Sequence, residues 1–187
     1  DEMDYRASCK RFCDDIDQRL EKVTAGTAER AIWELFQNAG DVARESANGK
    51  KAYIRMTLTP TEFSFAHKGK PFTYDTLNSL VKQVSSQSKE NDEEATGQYG
   101  TGFVTTHSFG KVLSITSSME KPFLEGKYID VDDFIIDRSY TNKQDFYEKM
   151  PAQLANVKGL AIHAPVTTVA REWTVLRYNL STAVGNN

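Results

Sequence analysis

The sequence predicts an α+β domain whose helices cover one face of a mixed, mainly antiparallel sheet. Its size is the first ground: 187 residues, 39% hydrophobic and 26% charged, suffice for one domain with a real core. Periodicity is the second. Apolar residues recur at helical spacing early in the chain, whereas several later segments alternate. The third is a short join, Thr59-Pro60-Thr61, between two alternating segments, which reads as an antiparallel hairpin.

In chain order, residues 4–22 carry Tyr5, Cys9, Phe12, Cys13, Ile16 and Leu20, a helical stripe. A second helix is predicted over 27–46, with Thr27 as N-cap and Glu29 in the first turn, where a carboxylate suits the positive end of the helix dipole. Ala31, Ile32, Leu35 and Phe36 supply its buried side, and Asn48-Gly49 ends it. Residues 52–58 and 62–66 form the hairpin. Lys68-Gly69-Lys70-Pro71 is a turn, and Thr73 starts a helix over 74–84. Residues 85–96 hold no apolar group larger than Ala and cannot bury enough surface to be rigid. Such a loop is predicted to be a lid, with a plain solvated loop as the alternative. A short helix is expected over 103–109, strands over 112–117, 125–130, 134–138 and 160–164, and helices over 141–154 and 169–184.

Composition narrows the function classes. A net charge of −3 speaks against a surface that coats nucleic acid, with Lys10-Arg11 as a local basic patch only. No apolar run reaches the length of a membrane span. Cys9 and Cys13 have no Cys or His neighbours to form a zinc set, so they read as reduced core residues, which suits the cytoplasm. The start at Asp1 and the polar end at Asn186-Asn187 predict a domain excised from a longer protein. No Ser/His/Asp or Cys/His constellation stands out, and His107 and His163 read as structural.

Two patterns carry chemistry. Glu34, Asn38 and Asp41 stand at i, i+4 and i+7, so a helix projects all three from one face, with Leu35, Phe36 and Ala39 pointing elsewhere. Alone this could be a solvated face. Gly97-Gln98-Tyr99-Gly100-Thr101-Gly102-Phe103 follows a polar loop and precedes a helix. Its glycines permit close approach of backbone N–H groups to an anion, and a helix N-terminus adds its dipole. Alone this could be a tight turn. It lacks the preceding strand of a dinucleotide fingerprint and the Gly-Lys-Ser/Thr of a P-loop.

Read together, Glu34-x-x-x-Asn38-Ala39-x-Asp41 and Gly97-x-x-Gly100-x-Gly102-Phe103 resemble the GHKL superfamily of ATPases: gyrase, heat-shock chaperone, histidine kinase and MutL. The wording is most similar to the chaperone and MORC-like branches, and the resemblance covers about residues 20–165. It implies a Bergerat-type two-layer α/β sandwich, ATP or ADP as nucleotide, and Mg²⁺. It further implies Glu34 as the general base on water, Asn38 as the Mg²⁺ ligand, and Asp41 as a residue lining the pocket. Gly97, Gln98, Tyr99, Gly100, Thr101, Gly102 and Phe103 become the phosphate-binding box, and 85–96 the ATP lid. The family's Asp-x-Gly-x-Gly, whose Asp accepts from the adenine amino group, aligns with His67-Lys68-Gly69-Lys70-Pro71. Gly69 keeps the turn, but a neutral His67 accepts through one nitrogen and is no fixed anion. If His67 reads the base, affinity is expected to fall as pH drops through about 6.5. If not, it is a structural histidine beside a turn. A later Gly-Thr pair aligns with Gly159-Leu160, which lacks the hydroxyl. No phosphoacceptor-histidine helix precedes the site, which sets histidine kinases aside.

The expected function is Mg²⁺-dependent ATP binding and slow hydrolysis, with lid closure driving a dimerisation or domain switch of chaperone-like type. Neither nucleic acid nor a membrane is indicated as partner, and the client is unspecified. Two alternatives stay open: an interaction module that binds ATP or ADP without turnover, and a degenerate scaffold that binds no nucleotide.

Overall fold

The computed structural model describes residues 1–83 and 101–183. The expected lid, 85–96, and Gly97, Gln98, Tyr99 and Gly100 lie outside the described residues. The chain opens with helix α1 (Glu2–Leu20), a 3-10 turn (Ala25–Thr27) and α2 (Ala28–Val42). A small ladder of β1 (Glu45–Ser46) and β2 (Gly49–Lys50) precedes the hairpin of β3 (Ile54–Leu58) and β4 (Glu62–Lys68). Then come α3 (Tyr74–Lys82), a 3-10 helix (Thr101–Ser108), β5 (Val112–Glu120), β6 (Tyr128–Asp137), α4 (Lys143–His163), β7 (Val166–Thr167), β8 (Trp173–Asn179) and a 3-10 turn (Leu180–Thr182).

Six strands form one sheet in the order β3-β4-β8-β5-β6-β7, and every strand pair described is antiparallel. The one parallel element among the described residues is an isolated bridge, Phe72 to Met119. β8 comes late in the chain yet sits in the middle, between β4 and β5. Its alternation decides this: Thr174, Leu176 and Tyr178 are buried, and their neighbours are less so. The inward side chains of the three central strands line up in rows. Phe63, Tyr178 and Leu113 form one row; Phe65, Leu176 and Ile115 form the next. Cys9, Cys13 and Ile16 of α1, Leu77 and Leu80 of α3, and Phe146, Met150 and Val157 of α4 join the same apolar core. Burying each such side chain stabilises the fold by about 1.5–3 kcal/mol. The result is the expected α+β sandwich of a helix layer on an antiparallel sheet.

Several expectations need correction. Residues 169–184 are not a helix; they contain the central strand β8. Residues 160–164 are not a strand; α4 runs on past Pro151 because Gln153, Leu154, Val157 and Ala161 keep a helical stripe buried. The strands expected at 125–130 and 134–138 are one strand, β6, whose register against β5 shifts between Ile115 and Ser117. α2 ends at Val42, where Ala43 turns extended, and Asn48-Gly49 instead belongs to the β1–β2 turn, with Gly49 at φ 89°. Thr27 makes no side-chain cap on α2; its hydroxyl donates to the Thr24 carbonyl at 2.7 Å.

Candidate functional site

α2 positions the first motif. Its buried stripe is Ala31, Leu35, Asn38, Ala39 and Val42, so Asn38 shares the covered face with the apolar residues. That corrects the expectation that Asn38 stands apart from Leu35 and Ala39. Glu34 and Asp41 border the stripe, Glu34 half-buried and Asp41 exposed. The three residues thus form a graded edge, from core to solvent, along one side of a single helix.

The 3-10 helix Thr101–Ser108 packs along α2. Phe103 and Val104 anchor it in the core, and the Tyr178 hydroxyl on β8 donates to buried Thr106 Oγ1 at 2.8 Å. This anchoring sets Gly102 against α2. A Cβ on Gly102 would lie 2.6 Å from Cδ and 2.7 Å from Oε2 of Glu34. Only a glycine leaves room there for the carboxylate. The two motifs, far apart in sequence, meet at this contact. The same reading applies at the far end of α2. A Cβ on Gly69 would lie 2.7 Å from the Val42 carbonyl oxygen, which accepts from the Lys70 amide at 2.8 Å. The turn after β4 is therefore tied to the last residue of α2, beside Asp41.

His67 sits just before that turn, facing the helix layer on the same side of β4 as Phe65. It is 2% exposed, and neither ring nitrogen has a hydrogen-bond partner among the described residues. Burial pushes its pKa down to about 4; the nearby Lys68 backbone pulls weakly the other way without reaching hydrogen-bond geometry. The ring is neutral at ordinary pH. A loss of affinity near pH 6.5 is therefore not what this environment supports; protonation is displaced to about pH 4.

Gly159-Leu160 lies within α4 and contributes nothing beside His67. The hydroxyl beside His67 comes from Thr174, its direct partner across the β4–β8 ladder. Thr174 Oγ1 lies 2.6 Å from Ser117 Oγ on β5, and both residues are buried. Sequence reasoning missed Thr174 because 169–184 was read as helix. The alternation from Trp173 to Tyr178 was the available signal.

Asn38 offers one carboxamide oxygen, a hard donor of the kind Mg²⁺ takes. Among the described residues no three His, Cys, Asp or Glu side chains gather as a metal set. Mg²⁺ in phosphate sites needs only one or two protein oxygens, so the donor set is compatible with it. Elsewhere, His107 is buried with Nδ1 3.1 Å from the Gly110 carbonyl, and burial with the Arg138 charge lowers its pKa to about 3. Cys9 and Cys13 are buried and unbridged, and burial raises the Cys13 thiol to about 12, which makes it inert as a nucleophile.

A cavity of about 1230 Å³ opens elsewhere, between the start of α3, the 121–127 loop and the end of α4. Its rim mixes Lys121, Lys127 and Lys158 with Asp75, Glu120 and Glu125, so its charges balance, and none of the motif residues reaches it. The chain matches no protein-family model and no curated protein. No helix among the described residues is long and apolar enough to cross a membrane.

Proposed function

We propose that this domain binds ATP with Mg²⁺ and hydrolyses it slowly, as a conformational switch. The observation that carries the reading is the contact of Gly102 with the Glu34 carboxylate. A general base and an array of backbone N–H groups are useful to phosphoryl chemistry only when they border the same space. In this reading Glu34 takes a proton from water as the water oxygen bonds to the γ-phosphorus. The bond from that phosphorus to the bridging oxygen breaks, and ADP leaves with the electron pair. Thr101, Gly102 and Phe103 begin a 3-10 helix, and the positive end of such a helix would favour the charge that grows on the phosphoryl oxygens. When bound, Mg²⁺ would neutralise phosphate charge. The Asn38 carboxamide is the group that would hold it. Asp41 would line the pocket near the nucleotide, and Gly69 would keep the turn beside it.

Closure of a lid, coupled dimerisation and a downstream client remain parts of this proposal that the resemblance supplies. The buried, unbridged cysteines fit a reducing compartment such as the cytoplasm. One observation favours the reading in which nucleotide binds without turnover: an imidazole stands where the family's aspartate is expected.

Calorimetric titration with ATP, with and without Mg²⁺, tests the proposal. The parent should bind Mg·ATP, and Asn38→Ala should weaken that binding while leaving Mg²⁺-free ATP unchanged. Equal losses with and without Mg²⁺ would remove Asn38 from the metal, and no binding by the parent would leave only the scaffold reading.

A further inference from the structure

We infer that the base end of this site does not discriminate a 6-amino from a 6-oxo purine, so the domain takes purine nucleoside triphosphates as a class. The inference rests on the nucleotide reading above and adds its specificity.

The observation is a third row on the inner face of the sheet. Two rows across β4, β8 and β5 are apolar apart from the Tyr178 hydroxyl. The next row, at the end where Gly69 meets α2, is His67, Thr174 and Ser117. All three are at most 5% exposed. A wall of buried polar groups ending an apolar core is the arrangement that orients a ligand.

The chemistry of this row is unusual in one respect: every member can both donate and accept. A carboxylate only accepts, so it holds an amino group and rejects a carbonyl. A neutral imidazole carries one N–H and one bare nitrogen, and either nitrogen can hold the proton. Burial keeps the ring neutral, and neither nitrogen of His67 is committed to a protein partner that would fix its tautomer. The Ser117–Thr174 pair can run in either direction, since either hydroxyl can donate; the other outlet for the Ser117 proton is a long 3.5 Å contact with the Ser118 carbonyl. Reversing the direction of such a row means turning hydroxyls and moving a ring proton. No buried charge has to be broken. Rejection of a wrong ligand comes from polar groups left unpaired. The ring nitrogen that meets the 6-substituent can be matched to either purine, and what the other nitrogen lacks is the same in both complexes.

Inosine triphosphate is the clean probe. It presents a 6-oxo group without the extra 2-amino group of guanine. Titration of the parent with Mg·ATP, Mg·ITP and tripolyphosphate should give ATP and ITP affinities within about tenfold of each other, both tighter than tripolyphosphate. His67→Asp should shift the ratio towards ATP by roughly a further tenfold or more, mainly by weakening ITP. His67→Asn, whose amide can also turn over, should keep the parent ratio and serves if the Asp variant does not fold. A parent that prefers ATP over ITP by a hundredfold or more, roughly what unpaired buried polar groups produce, overturns the inference and leaves the nucleotide reading intact. An unchanged ratio in a folded His67→Asp also overturns it. Failure of all three probes to bind the parent removes the nucleotide reading itself, and this inference with it.

Discussion

Glu34 and Gly102 define each other's space, and the two glycines of the site fail in different ways when filled. A Cβ on Gly102 meets the far end of a flexible side chain, which can swing aside. Gly102→Ala should therefore cost little stability, under about 1 kcal/mol, while displacing the carboxylate. Phosphate release is expected to fall by roughly tenfold or more, since a general base must stay within hydrogen-bond reach of its proton. A Cβ on Gly69 meets the backbone carbonyl of Val42, which cannot move without disturbing the end of α2. Gly69→Ala should destabilise the fold by about 1–3 kcal/mol. Thermal unfolding of both variants checks the contrast; equal losses of stability would refute it. Asn38 and Thr174 show what a sequence conceals at this scale. The helical spacing put Asn38 beside Glu34, but only packing makes it a covered residue. Thr174 stands beside His67 only because β8 pairs with β4 and sets the two residues opposite each other.

Among the elements, those with local punctuation were legible. α3 was placed by Thr73, and the structure holds a full capping box there. Thr73 Oγ1 accepts from the Thr76 amide at 3.1 Å, and Thr76 Oγ1 accepts from the Thr73 amide at 2.8 Å. Thr73→Ala should cost about 1 kcal/mol, and Thr73→Ser much less. Urea unfolding separates the two, and identical midpoints would mean the cap is idle. The β3–β4 hairpin was legible for the same reason, its turn lying between two alternating runs. β8 and the end of α4 were not. Leu160-Ala161-Ile162 is a short apolar run, which periodicity cannot assign to helix or strand. β8 owes its place to pairing on both edges with β4 and β5, contacts far away in sequence that no local window contains. The same error hid the Thr174 hydroxyl opposite His67. The approach of Gly102 to Glu34 was therefore legible from the two motifs, and the pairing of His67 with Thr174 was not.

At the scale of the whole molecule, two neutral imidazoles are built into the core. His67 and His107 have pKa values lowered to about 4 and about 3, both chiefly by burial. The unfolded chain titrates near 6.5, so unfolding takes up protons below that value. Stability from this source is complete above about pH 6.5 and is lost as pH falls towards 4, at up to about 1.4 kcal/mol per pH unit per imidazole. The unfolding midpoint should thus drop between pH 7 and 5, and His107→Asn should make that drop shallower. A midpoint flat across this range would contradict the burial of both rings. Under the proposed function, Glu34 and the glycine motif form one hydrolytic site on ATP. The most direct measurement is phosphate release at saturating Mg·ATP by the parent and by Glu34→Ala, with Mg·ATP affinity recorded for both. The account predicts affinity within a few-fold and release slower by roughly 10²-fold or more. Equal release by the two proteins would contradict it.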